Sequence, residues 1–225
     1  MRKPSSLVST LLAAAAVAVA VVAGAAPGAV AAPGDTVSTT VEKAVGNLPV
    51  VAEDSTGYSS DRFAHWTDPD QDGCNTRAEV VVAEATTPPA VDGRCTITGG
   101  AWHSYYDKRD HSGAGALDVD HLVPVAEAWR SGASGWSDEE RQQYANDMAD
   151  PRVLVAVTAS VKRAKGDKDP ARWEPADDSA DCRYIAEWAA VKGRWGLAVD
   201  ADELAALQNL VAECPTEEIT YQLAR

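Results

Sequence analysis

Four cysteines constrain this chain most, because Cys74, Cys95, Cys182 and Cys214 all lie downstream of what reads as an export leader. Arg2 and Lys3 precede an Ala/Val/Leu stretch beginning at Leu7, and Ala29-Val30-Ala31 offers a small-residue cleavage site. Residues 1–31 are therefore read as a secretory signal peptide and the mature protein as extracellular. No later stretch is apolar for long enough to span a bilayer, so no membrane association is expected after cleavage. An even cysteine count in an exported chain points to two disulfides, with three connectivities open. Two antiparallel helices expected near the C-terminus narrow the choice. In such a hairpin Cys182, at the start of the first, lies beside Cys214, at the end of the second, which leaves Cys74 to Cys95. A zinc site would want C-x-x-C or matching His spacing, which is absent.

Charge limits function. Cleavage removes Arg2 and Lys3 from the 20 basic residues, leaving 18 against 34 acidic ones and a net charge of −16. Such a chain cannot grip polyanions through net charge, since sequence-independent nucleic-acid affinity comes from Lys and Arg neutralising phosphates. A nucleic-acid role must be local or metal-assisted. Most of the carboxylates read as a solvated surface that keeps a secreted protein soluble.

About 190 mature residues suit one domain. Residues 32–56 read as a loosely ordered lead-in, and residues 57–225 as the domain proper. Thr76 to Glu84 reads as a helix or a strand, and "TITGGAWHSYYD" as strands on either side of a Gly-Gly turn. Leu117 to Val123 is the clearest strand, with Asp118 and Asp120 on one face and Val119 and His121 on the other. Ser137 and Glu140 form a capping box for a helix running to about Met148. "VLVAV" (153–157) reads as a buried strand, and Ala159 to Lys165 as a helix ended by Gly166. Two helices follow, with Ile185, Trp188, Val191 and Trp195 on one apolar stripe and Leu204, Leu207, Val211 and Cys214 on another. At helical spacing the tryptophans are core residues.

His121 is the candidate for chemistry. A histidine on the inner face of a strand is ordinarily a satisfied core residue, but here Asp120 adjoins it, Pro124 ends the strand, and a strand with a basic helix follows in "VLVAVTASVKRAKGDKDP". A neutral imidazole takes a proton from water near neutral pH, and a carboxylate beside it can hold a divalent cation that offsets phosphate charge. Phosphodiester hydrolysis needs that pairing. Arg163, Lys165 and Lys168 form the densest basic group of the chain, either a solvated helix end or a phosphate contact. Separately, Asp68, Asp70, Asp72, Gly73 and Glu79 match the calcium-loop pattern D-x-D-x-D-G-x5-E, with an acidic turn before a helix as the plainer alternative.

The run "DVDHLVP", the "AEAW" and "SGA" that follow, "ANDM", "LVAV", "KGDKDPARWEP" and the terminal "CRY" and "VK" together resemble the secreted HNH-type nucleases of actinobacteria, within the ββα-metal endonucleases. The resemblance spans about Gly57 to Cys214. It implies an α+β fold, disulfide-stapled, with an antiparallel hairpin and a helix gripping one magnesium or manganese ion and a C-terminal helical hairpin added. It further implies His121 as general base and Asp120 as metal ligand, in an endonuclease of low sequence specificity acting on DNA and also RNA. One difficulty is that adjacent strand residues face opposite ways, so both can serve only if the strand twists near Pro124.

The chain departs from the family at Lys162, where an asparagine ordinarily opens "N-R-x-K-G-D". An ammonium donates only and cannot ligate a cation. Three outcomes are open: Asn146 or water completes the coordination, Lys162 replaces part of the metal's charge, or activity is weak or lost. In the first two, Lys162, Arg163 and Lys165 are expected on substrate phosphate; in the last, the protein binds a wall component, a metal or a partner protein.

Overall fold

Residues 31–214 and 216–225 are described by the computed structural model as short two-stranded antiparallel sheets interleaved with helices. Strand β1 (Thr36–Thr40) pairs with β8 (Glu218–Gln222), β2 (Ala90–Val91) with β3 (Ile97–Thr98), β4 (Trp102–Ser104) with β5 (Arg109–His111), and β6 (Leu117–His121) with β7 (Leu154–Thr158). The helices are α1 (Val41–Gly46), α2 (Thr76–Ala83), α3 (Val125–Arg130), α4 (Asp138–Ala145), α5 (Ala159–Lys165), α6 (Asp181–Trp195) and α7 (Ala201–Val211). The fold is α+β, as expected. Apart from Ala31, the expected signal peptide lies outside the described residues. No helix among the described residues is long and apolar enough to cross a membrane.

The unit that positions the site is β6, β7 and α5. All five residues of β7 are buried, which is why its sequence is a continuous apolar run rather than an alternation. Its register with β6 sets His121 opposite Leu154 and Asp120 opposite Val155. The other edge of β7 is closed by side chains. Ala156 N–H donates to Glu84 Oε2 (2.8 Å) and Thr158 N–H to Ser104 Oγ (3.0 Å), so these two donors are satisfied on a buried edge. Burial raises the Glu84 carboxyl to about 7 against the lowering effect of that Ala156 N–H. Helix α5 starts directly after Thr158 and stops at Gly166, whose φ of +57° lies in the region that favours glycine.

Residues 122–153 separate the two strands, so they are not joined by a tight hairpin. Pro124 (φ −55°) opens α3, and the Ser137–Glu140 capping box opens α4. Helix α4 ends at Ala145, short of Met148, because the Asn146 and Asp147 side chains are committed elsewhere. Asn146 bonds loop backbone and Asp147 holds Arg194 and Trp195.

Both disulfides are those the helical hairpin required. Cys182–Cys214 joins the start of α6 to the chain just after α7 (Cα–Cα 5.6 Å), and Cys74–Cys95 ties the Asp-rich loop to the β2–β3 turn (5.1 Å). The predicted stripe of α6 is buried throughout, as are Leu207, Val211 and Cys214.

One expectation is corrected. The lead-in is not loose: β1 pairs over five residues with β8, and α1 buries Val41, Ala44 and Val45 against α6 and α7. The body described here therefore begins at Ala32 rather than Gly57. The strand's partner lies at the other end of the chain, so no local pattern announces it. The strands expected on either side of Gly99-Gly100 are β3 and β4, of which β3 turns back to β2 and β4 goes on to β5. Gly100 (φ +82°) lets the Trp102 ring fold over it, where a Cβ would stand 2.5 Å from the indole.

Candidate active site

His121 ends β6, and its Nε2 lies 2.9 Å from the carbonyl oxygen of Ala145 at the end of α4. A carbonyl only accepts, so Nε2 carries the proton and Nδ1 keeps the basic lone pair. Trp66 (5.3 Å between ring centroids), His65 (6.2 Å) and Tyr144 (6.2 Å, stacked) hold the ring. Burial lowers the imidazole to about 4; the Ala145 bond opposes this, while His65, Lys162 and Lys165 add to it. The imidazole is therefore neutral at neutral pH. It lines a cavity of about 530 Å³ with His65, Tyr58, Ser60, Asp118, Asp120, Lys162, Arg163 and Asp167.

Beside it, β6 and α5 meet through two ion pairs. Asp118 and Asp120 share one face of the strand because they are two residues apart, and Lys162 and Lys165 share one face of the helix because they are three apart. Lys162 Nζ lies 2.9 Å from Asp118 Oδ2, and Arg77 Nε donates to Asp118 Oδ1 at 3.0 Å. Lys165 Nζ lies 2.7 Å from Asp120 Oδ2 and donates to the His121 carbonyl at 3.2 Å; Tyr106 O–H donates to Asp120 Oδ2 at 2.9 Å. Burial pushes Asp118 up, but Lys162 and Arg77 outweigh it and hold the carboxyl below its ordinary value. For the deeper pair burial dominates, raising Asp120 and lowering Lys165 against their mutual attraction. The facing problem is resolved at the strand's end: Asp120 turns toward Tyr106 and α5, His121 toward Ala145, and both still line the cavity.

These partners decide how the other expected residues serve. Asp120 is only 4 % exposed and bonded to Lys165 and Tyr106, while Asp118 lies between Lys162 and Arg77. Asn146 does not line the cavity: its Oδ1 accepts from Thr67 N–H (3.0 Å) and its Nδ2 donates to Ala64 and Gln142 carbonyls (2.7 and 2.8 Å). Asp118 and Asp120, the two carboxylates on β6 beside His121, therefore do not offer a ready seat for a magnesium or manganese ion, because each already faces an ammonium, while Asp167 at the cavity's edge does not. Lys165, expected on phosphate, is fully buried and spent on Asp120; Lys162 and Arg163 do reach the cavity.

Acidic clusters exist elsewhere. Asp68, Asp70 and Asp72 bring oxygens within 4.8 Å of one another, as do Glu53, Glu127 and Asp169. Glu79 stands outside the first group, since Asn75 caps α2 and carries Glu79 into the helix, yet burial and then Asp70, Asp72 and Asp68 raise its carboxyl. In the second group Arg130 bonds both Glu53 (2.9 Å) and Glu127 (2.7 Å), and Lys192 bonds Glu127 (2.8 Å).

Residues 84–210 match the family described as GmrSD restriction endonucleases, C-terminal domain. The chain belongs to that family. An uncharacterized secreted protein of Arthroderma benhamiae (strain ATCC MYA-4681 / CBS 112371) is 42 % identical over 158 residues, covering 70 % of this chain and 76 % of the relative. No solved structure matches. This GmrSD C-terminal domain protein is thus of a nuclease-type family, and it is secreted, in keeping with its two disulfides.

Sequence reasoning missed Asp118 and His65 as cavity residues. Asp118 was visible as the first carboxylate of "DVD", but its partner Lys162 lies 44 residues away. His65 had no motif around it. His103 and His111 are elsewhere, on Asp110 (2.7 Å) and on Thr158 Oγ1 (2.8 Å).

The two ion pairs predict unequal costs. Lys165→Met leaves Asp120 buried without its cation and should cost about 3–5 kcal/mol, whereas Lys162, with 28 % of its side chain exposed, should cost no more than about 1 kcal/mol as Lys162→Met. Urea denaturation of the two variants checks this, and equal losses would contradict it.

Proposed function

We propose that this secreted protein is an HNH-type endonuclease that hydrolyses phosphodiester bonds of nucleic acid, and that β6, β7 and α5 are its ββα core. The observation carrying this reading is a neutral histidine whose Nε2–H is fixed on a backbone carbonyl, leaving Nδ1 as the base in a cavity shared with Lys162 and Arg163. His121 Nδ1 takes a proton from water as the oxygen attacks phosphorus, and the two cations meet the charge that builds on the phosphate oxygens. Phosphate contacts of this kind position a strand without reading its bases, which supports low sequence specificity and either DNA or RNA as substrate. The family resemblance also implies magnesium or manganese. The lysine-paired carboxylates beside His121 do not support an ion there. Calcium is the ion we assign to Asp68, Asp70 and Asp72, in a structural role that Glu79 does not complete.

A silent binding protein is the competing reading, and it has no use for an imidazole held in one tautomer at an open cavity.

His121→Ala should lower turnover on plasmid DNA or RNA by roughly two to four powers of ten with the fold retained. Unchanged cleavage would remove His121 from the reaction. Millimolar calcium should raise the melting temperature of the wild type through preferential binding to the folded state, and the gain should vanish in Asp70→Ala. A transition that calcium leaves in place would reduce the loop to an acidic turn.

A further inference from the structure

We infer that Lys162 supplies the positive charge that a metal ion would otherwise bring to this centre, so that the protein cleaves nucleic acid with no divalent ion bound beside His121. The inference rests on the nuclease reading above and goes beyond it by naming the electrophilic group.

Three observations converge on Lys162. It lines the same cavity as His121 and Arg163, and part of its side chain is open to that space. Its Nζ spends one donor on Asp118 Oδ2 at 2.9 Å, which leaves its other protons for a phosphate oxygen. Asp118, held ionised by Lys162 and Arg77 together, fixes the ammonium in place. A divalent ion would have to displace that ammonium from Asp118, and at the remaining oxygen of Asp120 it would stand beside Lys165. Like charges brought that close in a partly buried site repel, because little water is left to screen them. The buried Lys165–Asp120 pair blocks the second carboxylate more firmly, because an uncompensated charge left there is costly.

The chemistry balances without the ion. A water oxygen forms a bond to phosphorus and gives one proton to His121 Nδ1, keeping the other on the new phosphate oxygen. The bond from phosphorus to the leaving ester oxygen breaks, and that oxygen takes a proton from solvent. His121 then releases its proton to solvent. Throughout, Lys162 donates hydrogen bonds to a non-bridging oxygen, with Arg163 beside it, so charge builds against a fixed cation.

The test uses the full-length secreted protein and fluorophore-labelled DNA and RNA oligonucleotides, with EDTA and with added magnesium or manganese. Wild-type cleavage of at least one substrate is expected to persist in EDTA. Lys162→Met should lower it by about a hundredfold or more, the scale of losing one transition-state donor. Lys162→Arg, which keeps the charge and the contact to Asp118, should retain most of it, and far-ultraviolet circular dichroism of both variants confirms that they fold. Cleavage that stops in EDTA and returns with magnesium or manganese overturns the inference while leaving the nuclease reading intact. So does a Lys162→Met protein that cuts as fast as wild type in EDTA. If no substrate is cut under any condition, the nuclease reading itself falls and the inference with it.

Discussion

Two carboxylates on one strand facing two lysines on one helix hold this centre together. Asp118 with Lys162, and Asp120 with Lys165, join β6 to α5 across a face that would otherwise bury uncompensated charge. A buried ion pair contributes little net stability, because taking both groups out of water costs about what their attraction returns. Its effect is on geometry. With Asp120 drawn to Lys165 and Tyr106, the next residue must project to the other side of the strand, and His121 meets the Ala145 carbonyl there. The tautomer of the imidazole, its neutrality and its place at the cavity all follow.

A second buried centre supports this one from behind. Lys192 on α6 is fully buried and donates to Glu127 on α3, to Ser131 Oγ, to the Ala198 carbonyl and to Glu203 on α7, at 2.7–2.9 Å. Glu127 is thereby held at about 2 although burial opposes it, while burial raises Glu203 to about 7. Glu127 also binds Arg130, whose guanidinium donates to the Asp167 carbonyl at 2.8 Å, in the loop that borders the His121 cavity. The "AEAW" and "VK" runs thus form a structural brace. The same holds for "ANDM", where Asp147 bonds Arg194 and Trp195.

How much of this could be read from the sequence depended on distance along the chain. Local signals were sufficient for the Ser137 capping box, the Gly166 stop and the helical stripe of α6, since each is written within a few residues. The disulfides followed from one topological step beyond that. Pairings between distant segments were not legible: β1 with β8, Lys162 with Asp118, and Asn146 with the loop at Ala64 and Thr67 join residues 44 to 186 positions apart. Lys162 could be recognised as a departure from the family asparagine, but its consequence could not, because that depended on Asp118 standing opposite. Lys165 misled for the same reason: in sequence it belongs to a basic cluster, and in the fold it is the most buried member of it.

The central claim is that the lysines of α5 occupy the place of a cation beside His121. Crystals of the protein grown with manganese test it most directly, through the anomalous scattering of the metal. The account predicts no manganese peak within coordination distance of His121, Asp118 or Asp120, with Lys162 and Lys165 still on their carboxylates. A peak bridging Asp118 and Asp120, with either lysine displaced, would contradict it.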